Sequence, residues 1–323
     1  MERTRRQVLL AAATAGGIGA TAGCLGEPDG GETQTSETTA QSSFFVFGDI
    51  ADHVAGDAAA SELLVPVGQH GHGWEPGPRI REDVRGADLF VHGMEGFQPW
   101  VDDIRSDLGT DGASVATVDA SADVSLLRAG DHEGGDHTGG DGHDHGAVDP
   151  HFWMDPLRAR EAVATVRRGF GDVDPDNADA YAENAESFRT ELQELHERID
   201  SLVTEASSDV LLVAGHDSFG YFADRYGVTV ESITDVSPND RPTARDIERA
   251  REVIETHDIE YLCADPLEPQ EAAQQLAEET DVEGILPLTA MPGLTEEWEA
   301  DEWGYVDIME NVNIPTLKQA LDA

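Results

Sequence analysis

The chain has almost no lysine. Lys318 is the only one, and 66 acidic residues stand against 20 basic ones, for a formal net charge of −46 over 323 residues. A field of that sign repels nucleic acid and anionic membrane surfaces, so neither is expected as a direct partner. It suits solvation in concentrated salt, where counterions screen the self-repulsion, and it reports a halophilic habitat more than an activity. Cysteine is nearly as scarce, with only Cys24 and Cys263, so no disulfide framework is available. Long apolar runs are missing as well. The uncharged stretch Val8 to Gly23 is built mostly of Ala, Gly, Leu and Thr and falls short of the roughly 20 apolar residues that span a bilayer. Neither an H-E-x-x-H helix nor a G-x-S-x-G turn occurs, which leaves a hydrolase without its usual machinery.

What the N-terminus does have is an export signal. Arg3, Arg5 and Arg6 precede the uncharged stretch, and the pair Arg5-Arg6 resembles a twin-arginine signal, which exports a chain already folded. The stretch closes on Thr21-Ala22-Gly23-Cys24, which resembles a lipobox: cleavage before Cys24 leaves a lipidated N-terminal cysteine. Residues 24–42, rich in Gly, Glu, Thr and Ser, then read as a flexible tether. The expected location is the outer face of the cytoplasmic membrane, held there by lipid. Cys263 is left without a partner and sits in the apolar run Ile259–Ala264, where a buried strand residue is expected.

About 280 residues remain, more than one core usually serves. In residues 43–128, Phe44–Phe47, Leu63–Val67, Leu89–Val91 and Ser114–Val118 read as short strands, with helices at 50–60, 79–86 and 97–108. In residues 208–323, the strands are Val210–Ala214, Val228–Ile233, Ile259–Cys263 and Gly284–Leu288, with helices at 218–226, 243–257 and 269–279. The fold class is therefore α/β, with two lobes that each carry a mostly parallel sheet flanked by helices. Residues 148–173 complete the first lobe. Between the lobes, Tyr181, Ala185, Phe188, Leu192, Leu195, Ile199 and Leu202 recur at spacings of four and three, so residues 174–207 form one long amphipathic helix, opened by Asp174 and Pro175. Packed along both lobes, it would act as a strut that limits hinging.

Twelve histidines carry the chemistry, and they are unevenly spread. His132, His137, His143 and His145 fall within residues 129–147, which are otherwise mostly Gly and Asp. Such a segment cannot build a core, and imidazole there points to auxiliary capture of a borderline-soft metal. Three more histidines stand where predicted strands end or turn: His72 in Gly71–Pro76, His151 in Asp149–Pro156 and His216 in Gly215–Phe222. Ligands of open parallel sheets gather beyond the carboxyl ends of the strands, so two facing lobes could converge three imidazoles on one ion. His53, His92, His196 and His257 sit in helical or strand patterns and read as structural.

At these three motifs the sequence resembles the zinc- and manganese-type solute-binding proteins of ABC importers. His72 to Pro76 matches that family's H-x-x-E-P, Asp149 to Trp153 its D-P-H-x-W, and His216 to Phe222 its H-x-x-[FY]-x-Y-F; Tyr305 to Met309, Asn311 and Leu317 resemble its C-terminus. The resemblance implies a non-catalytic monomer that captures a divalent metal in an inter-lobe cleft, with little lobe movement. It implies as partners a membrane permease and its ATPase. Zinc is the first choice, on three imidazoles and a His-rich loop, with Mn2+ or Fe2+ as alternatives. Family members often place a carboxylate in the last strand, whereas Gly284–Thr289 has none. The fourth ligand is therefore open: water first, then Glu75, Asp235 or Asp265. A surface adhesin or metal buffer would use the same site, and a zinc hydrolase with Glu75 or Asp217 as base is the rival from another class.

Overall fold

The computed structural model describes residues 37–71, 74–129, 148–237 and 240–323. Two four-stranded sheets, parallel throughout, organise them. The first has the order β2-β1-β3-β4, from Ala60–Leu63, Thr39–Ser42, Leu89–His92 and Ala116–Asp119. The second has the order β6-β5-β7-β8, from Thr229–Thr234, Val210–His216, Tyr261–Ala264 and Gly284–Pro287. In each, the chain order reverses beside the first strand, opening a crevice at the strands' carboxyl ends between β1 and β3 and between β5 and β7.

Helices α1 (Phe45–Ala55), α2 (Pro78–Gly86) and α3 (Pro99–Asp111) serve the first sheet, followed by α4 (Pro156–Val173) and the long α5 (Ala178–Glu205). Helices α6 (Gly220–Tyr226), α7 (Ala244–His257) and α8 (Glu271–Glu279) alternate with the strands of the second sheet. The chain closes with α9 (Glu296–Ala300), α10 (Tyr305–Ile308), a π turn at Met309–Asn313 and α11 (Ile314–Ala320). Among the described residues no helix is long and apolar enough to cross a membrane; the export signal, Cys24 and most of the tether lie outside them.

Three expectations from sequence need correction. Phe44–Phe47 is not a strand but leads into α1, and the helix expected at 50–60 is that same α1, ending at Ala55. An apolar run of four does not distinguish a buried strand from the first turn of a buried helix. The strand in question is Thr39–Ser42, whose composition reads as tether. Its polar, small residues are buried because β1 is hydrogen-bonded on both sides and covered by α1, with Ala40 and Ser42 almost fully enclosed. The second strand is Ala60–Leu63, earlier than the expected Leu63–Val67, so Leu64 and Val65 are buried just past its end. Helix α4, begun by the Asp155 cap on the Leu157 amide and by Pro156, is an addition to the elements expected from sequence.

The long helix carries the expected periodicity but begins at Ala178 and not at Asp174 and Pro175, because Pro175–Asn177 forms a separate 3-10 turn. Its 28 residues span about 42 Å, and it buries Tyr181, Ala185, Phe188, Leu192, Leu195 and Ile199 in a single stripe. That stripe packs on α1 and α4 of the first lobe and reaches α10 of the second. One continuous apolar cluster runs from Phe44 and Phe47 through Phe152 and Trp153 to Tyr221, Tyr305 and Met309, so the two lobes share a core. The aromatic part is dense: Trp153 lies 5.1 to 5.8 Å, ring to ring, from Phe44, Phe47, Phe97 and Phe152. Polar locks reinforce it. The Trp153 indole donates to the Ala290 carbonyl at 2.8 Å, and the Tyr305 hydroxyl donates back to the Trp153 carbonyl at 2.6 Å. Arg225 of α6 holds the enclosed Asp155 carboxylate at 2.6 and 2.9 Å.

A strut that carries the shared core should be sensitive to truncation on its buried stripe alone. Phe188→Ala is expected to cost about 3–5 kcal/mol of unfolding free energy, whereas Glu191→Ala, one residue row away and exposed, should stay within about 0.5 kcal/mol. Denaturant titration in molar salt measures both.

Candidate metal centre

Two histidines, one from each lobe, meet in the described structure. His216 is the last residue of β5, at the crevice where the second sheet reverses. His151 precedes a single 3-10 turn, Phe152–Met154, that carries the chain into α4. Both are buried, and their Nε2 atoms face each other at 3.3 Å.

Each ring is held by a carboxylate on its far side. Asp149 Oδ1 accepts from the His151 amide at 2.9 Å and lies 2.8 Å from His151 Nδ1. Asp149 is itself anchored across the lobes, because its carbonyl accepts from the Tyr221 hydroxyl at 2.7 Å. On the other side, Glu268 Oε1 lies 2.5 Å from His216 Nδ1. Glu268 comes from the loop after β7, the strand across the crevice from β5. Gly215 makes room for it: a Cβ at that position would sit 2.6 Å from Glu268 Oε2.

The tautomers follow from these partners. A carboxylate beside Nδ1 favours the Nδ1–H form, which leaves a lone pair on Nε2. Two such lone pairs aimed at each other repel unless a cation, a proton or a metal ion, lies between them. The electrostatics agree. Burial lowers the proton affinity of His216, but the bond and charge of Glu268 more than reverse it, so His216 is raised above 6.5. Burial wins at His151 and lowers it despite Asp149. At Glu268, burial opposes ionisation, and the bonds from His216 and His70 overcome it, holding the carboxyl down at about 2.

The other expected residues fall in different places. His72 and the loop histidines His132, His137, His143 and His145 lie outside the described residues. Glu75 and Asp235 are exposed. Asp265 is enclosed but already engaged: Oδ1 accepts from the Leu267 amide, while Oδ2 takes the Thr289 hydroxyl at 2.6 Å and the Ala290 amide at 3.1 Å. Burial, followed by the charge of Glu268, raises its carboxyl to about 6. It ties the end of β7 to the segment after β8. Cys263 is a fully buried strand residue whose thiol burial pushes up to about 12, which makes it inert. His92 is buried with Nδ1 on the Gly93 carbonyl at 2.6 Å. Among the described residues, no three or more His, Cys, Asp or Glu side chains are already arranged as a metal site.

Two residues at the site, Glu268 and His70, are absent from the expected set, although His70, a histidine two residues before His72, carries the same signal as the others. Glu268 follows a Pro-Leu pair in a polar stretch, and nothing in its spacing marks it; only the crevice beside β5 does. His70 Nε2 lies 3.6 Å from Glu268 Oε1, on a loop docked to the second lobe by the Gly68 and Gly71 amides, which donate to Leu294 and Pro292. The approach is close enough that a Cβ on Gly293 would fall 2.3 Å from the Gln69 carbonyl oxygen.

The geometry has counterparts among known proteins. Over 278 residues the chain is 28% identical to the high-affinity zinc uptake system protein ZnuA of Bacillus subtilis, covering 86% of each chain. It is 30% identical over 279 residues to the zinc-binding lipoprotein AdcA of Streptococcus pneumoniae, covering 86% of this chain and 55% of that longer protein. The crystal structure of the Zn(II)-bound ZnuA-like domain of AdcA superposes with a TM-score of 0.73 at 27% identity, over 89% of this chain and all of that domain. The metal-dependent lipoprotein YcdH of B. subtilis gives 0.72 at 26% identity, over 88% of this chain and all of that one. Two parallel lobes on a long helix are thus a shared architecture, and the match over residues 41–320 makes the chain a member of the family described as zinc-uptake complex component A, periplasmic.

Proposed function

We propose that the chain is the extracytoplasmic metal-capturing component of an ABC importer, which takes zinc between its lobes and delivers it to a membrane permease driven by an ATPase. The observation that carries this reading is the 3.3 Å separation of two Nε2 atoms whose Nδ1 sides both rest on carboxylates. On a tetrahedral zinc ion with bonds of about 2.0–2.1 Å, two nitrogen ligands stand about 3.3–3.4 Å apart. The pair therefore already has the spacing of one edge of such a site. His72 supplies the third imidazole, and a water or a carboxylate closes the fourth position. Nitrogen-rich coordination favours zinc over manganese, and Fe2+ is the weaker alternative.

The residues have separate tasks. His151 and His216 bind; Asp149 and Glu268 keep both Nε2 lone pairs aimed inward and strengthen them as donors. Burial excludes water, and the shared core holds both imidazoles near their final positions, which keeps the ordering cost of binding low. Capture and release needs no bond-breaking step, and the two carboxylates nearest the pair are engaged by imidazole and so poorly placed to act as bases. We therefore read the site as a binding site and not a catalytic centre. Cys24 would carry the lipid, the chain would work as a monomer, and the histidines of residues 129–147 would hold further metal weakly.

Removing one cleft ligand should abolish tight binding, whereas removing the loop histidines should not. His216→Ala is expected to weaken zinc affinity by orders of magnitude; replacing His132, His137, His143 and His145 by Ala should leave one tight equivalent intact. Isothermal titration in molar salt decides, and a tight site that survives His216→Ala would sink the assignment. Asp149→Ala, which keeps all imidazoles but frees one ring, should lower affinity about 10–100-fold.

The pH dependence has a definite sign. Because Glu268 raises His216 above 6.5, protons begin to compete with zinc while the pH is still above that value, and affinity falls further as the pH drops through it. Zinc binding at pH 6.5 and below should accordingly release protons, measurable from the buffer dependence of the binding enthalpy. An affinity flat from pH 8 to 5 would remove the imidazole pair from consideration.

A further inference from the structure

We propose that His70 and Glu268 form a second, outer zinc site at the mouth of the cleft, which receives the ion and passes it inward to the His151 and His216 pair. This inference rests on the functional reading above and extends it from where the ion is held to how it arrives.

The first support is a graded series of contacts running inward, in which Glu268 and the Nε2 pair lie on opposite sides of the His216 ring. His70 Nε2 stands 3.6 Å from Glu268 Oε1, the same oxygen stands 2.5 Å from His216 Nδ1, and His216 Nε2 faces His151 Nε2 at 3.3 Å. The rings of His70 and His216 are 6.1 Å apart, centre to centre. Burial deepens along this series, from 21% side-chain exposure at His70 through 12% at Glu268 and 3% at His216 to none at His151. An ion from solvent therefore meets His70 and Glu268 first.

The second support is geometric. A nitrogen and an oxygen 3.6 Å apart can share an ion at bonds of about 2.1 Å with an angle of roughly 115–120° at the metal, close to the tetrahedral value. With two protein ligands acting there, water must fill the remaining positions. Binding is weaker than inside the cleft and exchange is faster, as a transit position requires. Glu268 suits both roles because an ionised carboxylate offers about four lone-pair sites. It can keep His216 oriented through one while it engages the arriving ion through another. The position of His70 is also built: the backbone bonds from Gly68 and Gly71 to Leu294 and Pro292 fix the loop that carries it against the second lobe.

Kinetics separate this role from a structural ion pair. The parent for the test is the full mature chain with His132, His137, His143 and His145 replaced by Ala, so that the loop contributes nothing. Stopped-flow transfer of zinc from a fluorescent chelator, with equilibrium competition alongside, is run on this parent and on its His70→Ala form. The expected result is an association rate lowered at least tenfold with equilibrium affinity changed less than threefold, since an outer site speeds arrival and departure alike. Loss of a second, weaker zinc equivalent in the variant is expected with it. His70→Gln, which keeps a polar side chain of similar reach, guards against a folding defect and should behave as His70→Ala does. An unchanged rate on an intact tight site would overturn this proposal alone. So would an affinity loss as large as that of His216→Ala, because His70 would then belong to the inner site. Absence of any tight zinc equivalent in the parent would instead overturn the functional reading together with this inference.

Discussion

Two imidazole lone pairs forced to face each other across a lobe boundary are the constraint on which the rest of the structure depends. The arrangement is unfavourable in itself, and the molecule maintains it by fixing both rings from behind, with Asp149 on one and Glu268 on the other. Those carboxylates would in turn be costly to bury without the imidazole N–H groups they accept. Each half of the pair therefore makes the other half tolerable, and a cation between the Nε2 atoms satisfies all four groups together. In the proposed site proton and metal would compete for one position, which would tie metal capture to pH through geometry and not through any separate sensor.

Keeping the two nitrogens 3.3 Å apart requires the lobes to stay in register to within a fraction of an ångström. A hinge of the kind that closes around sugars or amino acids would not do. Here the lobes share one apolar cluster, the Trp153 and Tyr305 bonds run across the seam in both directions, and the Asp155–Arg225 pair adds a charged clamp beside it. The three family-like motifs are thus only partly about metal. In D-P-H-x-W the aspartate and histidine belong to the proposed site and the tryptophan locks the lobes; in the segment from His216 to Phe222 the histidine is the proposed ligand, while Tyr221 donates to the Asp149 carbonyl and itself accepts from the Leu127 amide. Release must then come from distorting the ligands or prising apart a packed seam, which is work for a partner and not for thermal motion alone.

Much of this is legible in the sequence, and the illegible part has a common cause. The long helix is plain because seven apolar residues at spacings of four and three line one face of a helix and fit no strand. The second lobe's strands lie within one or two residues of their expected places because each is a β-branched or apolar run bounded by turn residues. The first strand is hidden because Thr39–Ser42 is buried by its neighbours on both sides and not by its own hydrophobicity. His216 announces itself as a histidine at the end of an expected strand, and His151 as one inside the Asp149–Pro156 motif. Glu268 does not, since one glutamate among many acidic residues carries no local signal, and its role exists only because the reversal of strand order places the loop after β7 beside the end of β5. Local pattern marks elements and ligand types; the partners that orient ligands are set by topology.

The acidic surface raises the question of how a chain with a net charge of −46 selects one cation among many. Its field draws all cations, and in molar salt the screening length is only about 3 Å, so beyond the nearest neighbours the field discriminates little. Selection must come from contacts shorter than that length. Sodium, potassium and magnesium prefer oxygen ligands and hold their water tightly, and they gain little from exchanging it for imidazole. Zinc gains from nitrogen donors, and in the proposed site it would find them at His151 and His216, which are buried away from solvent. Putting the imidazoles in the interior and the carboxylates behind them thus reverses the order of the surface, where oxygen is presented first. The outer pair of His70 and Glu268 stands between these regimes, with one oxygen ligand and one nitrogen ligand at intermediate burial. An ion moving inward would meet progressively more nitrogen and less water, and at each step zinc would lose less than its competitors by giving up its hydration.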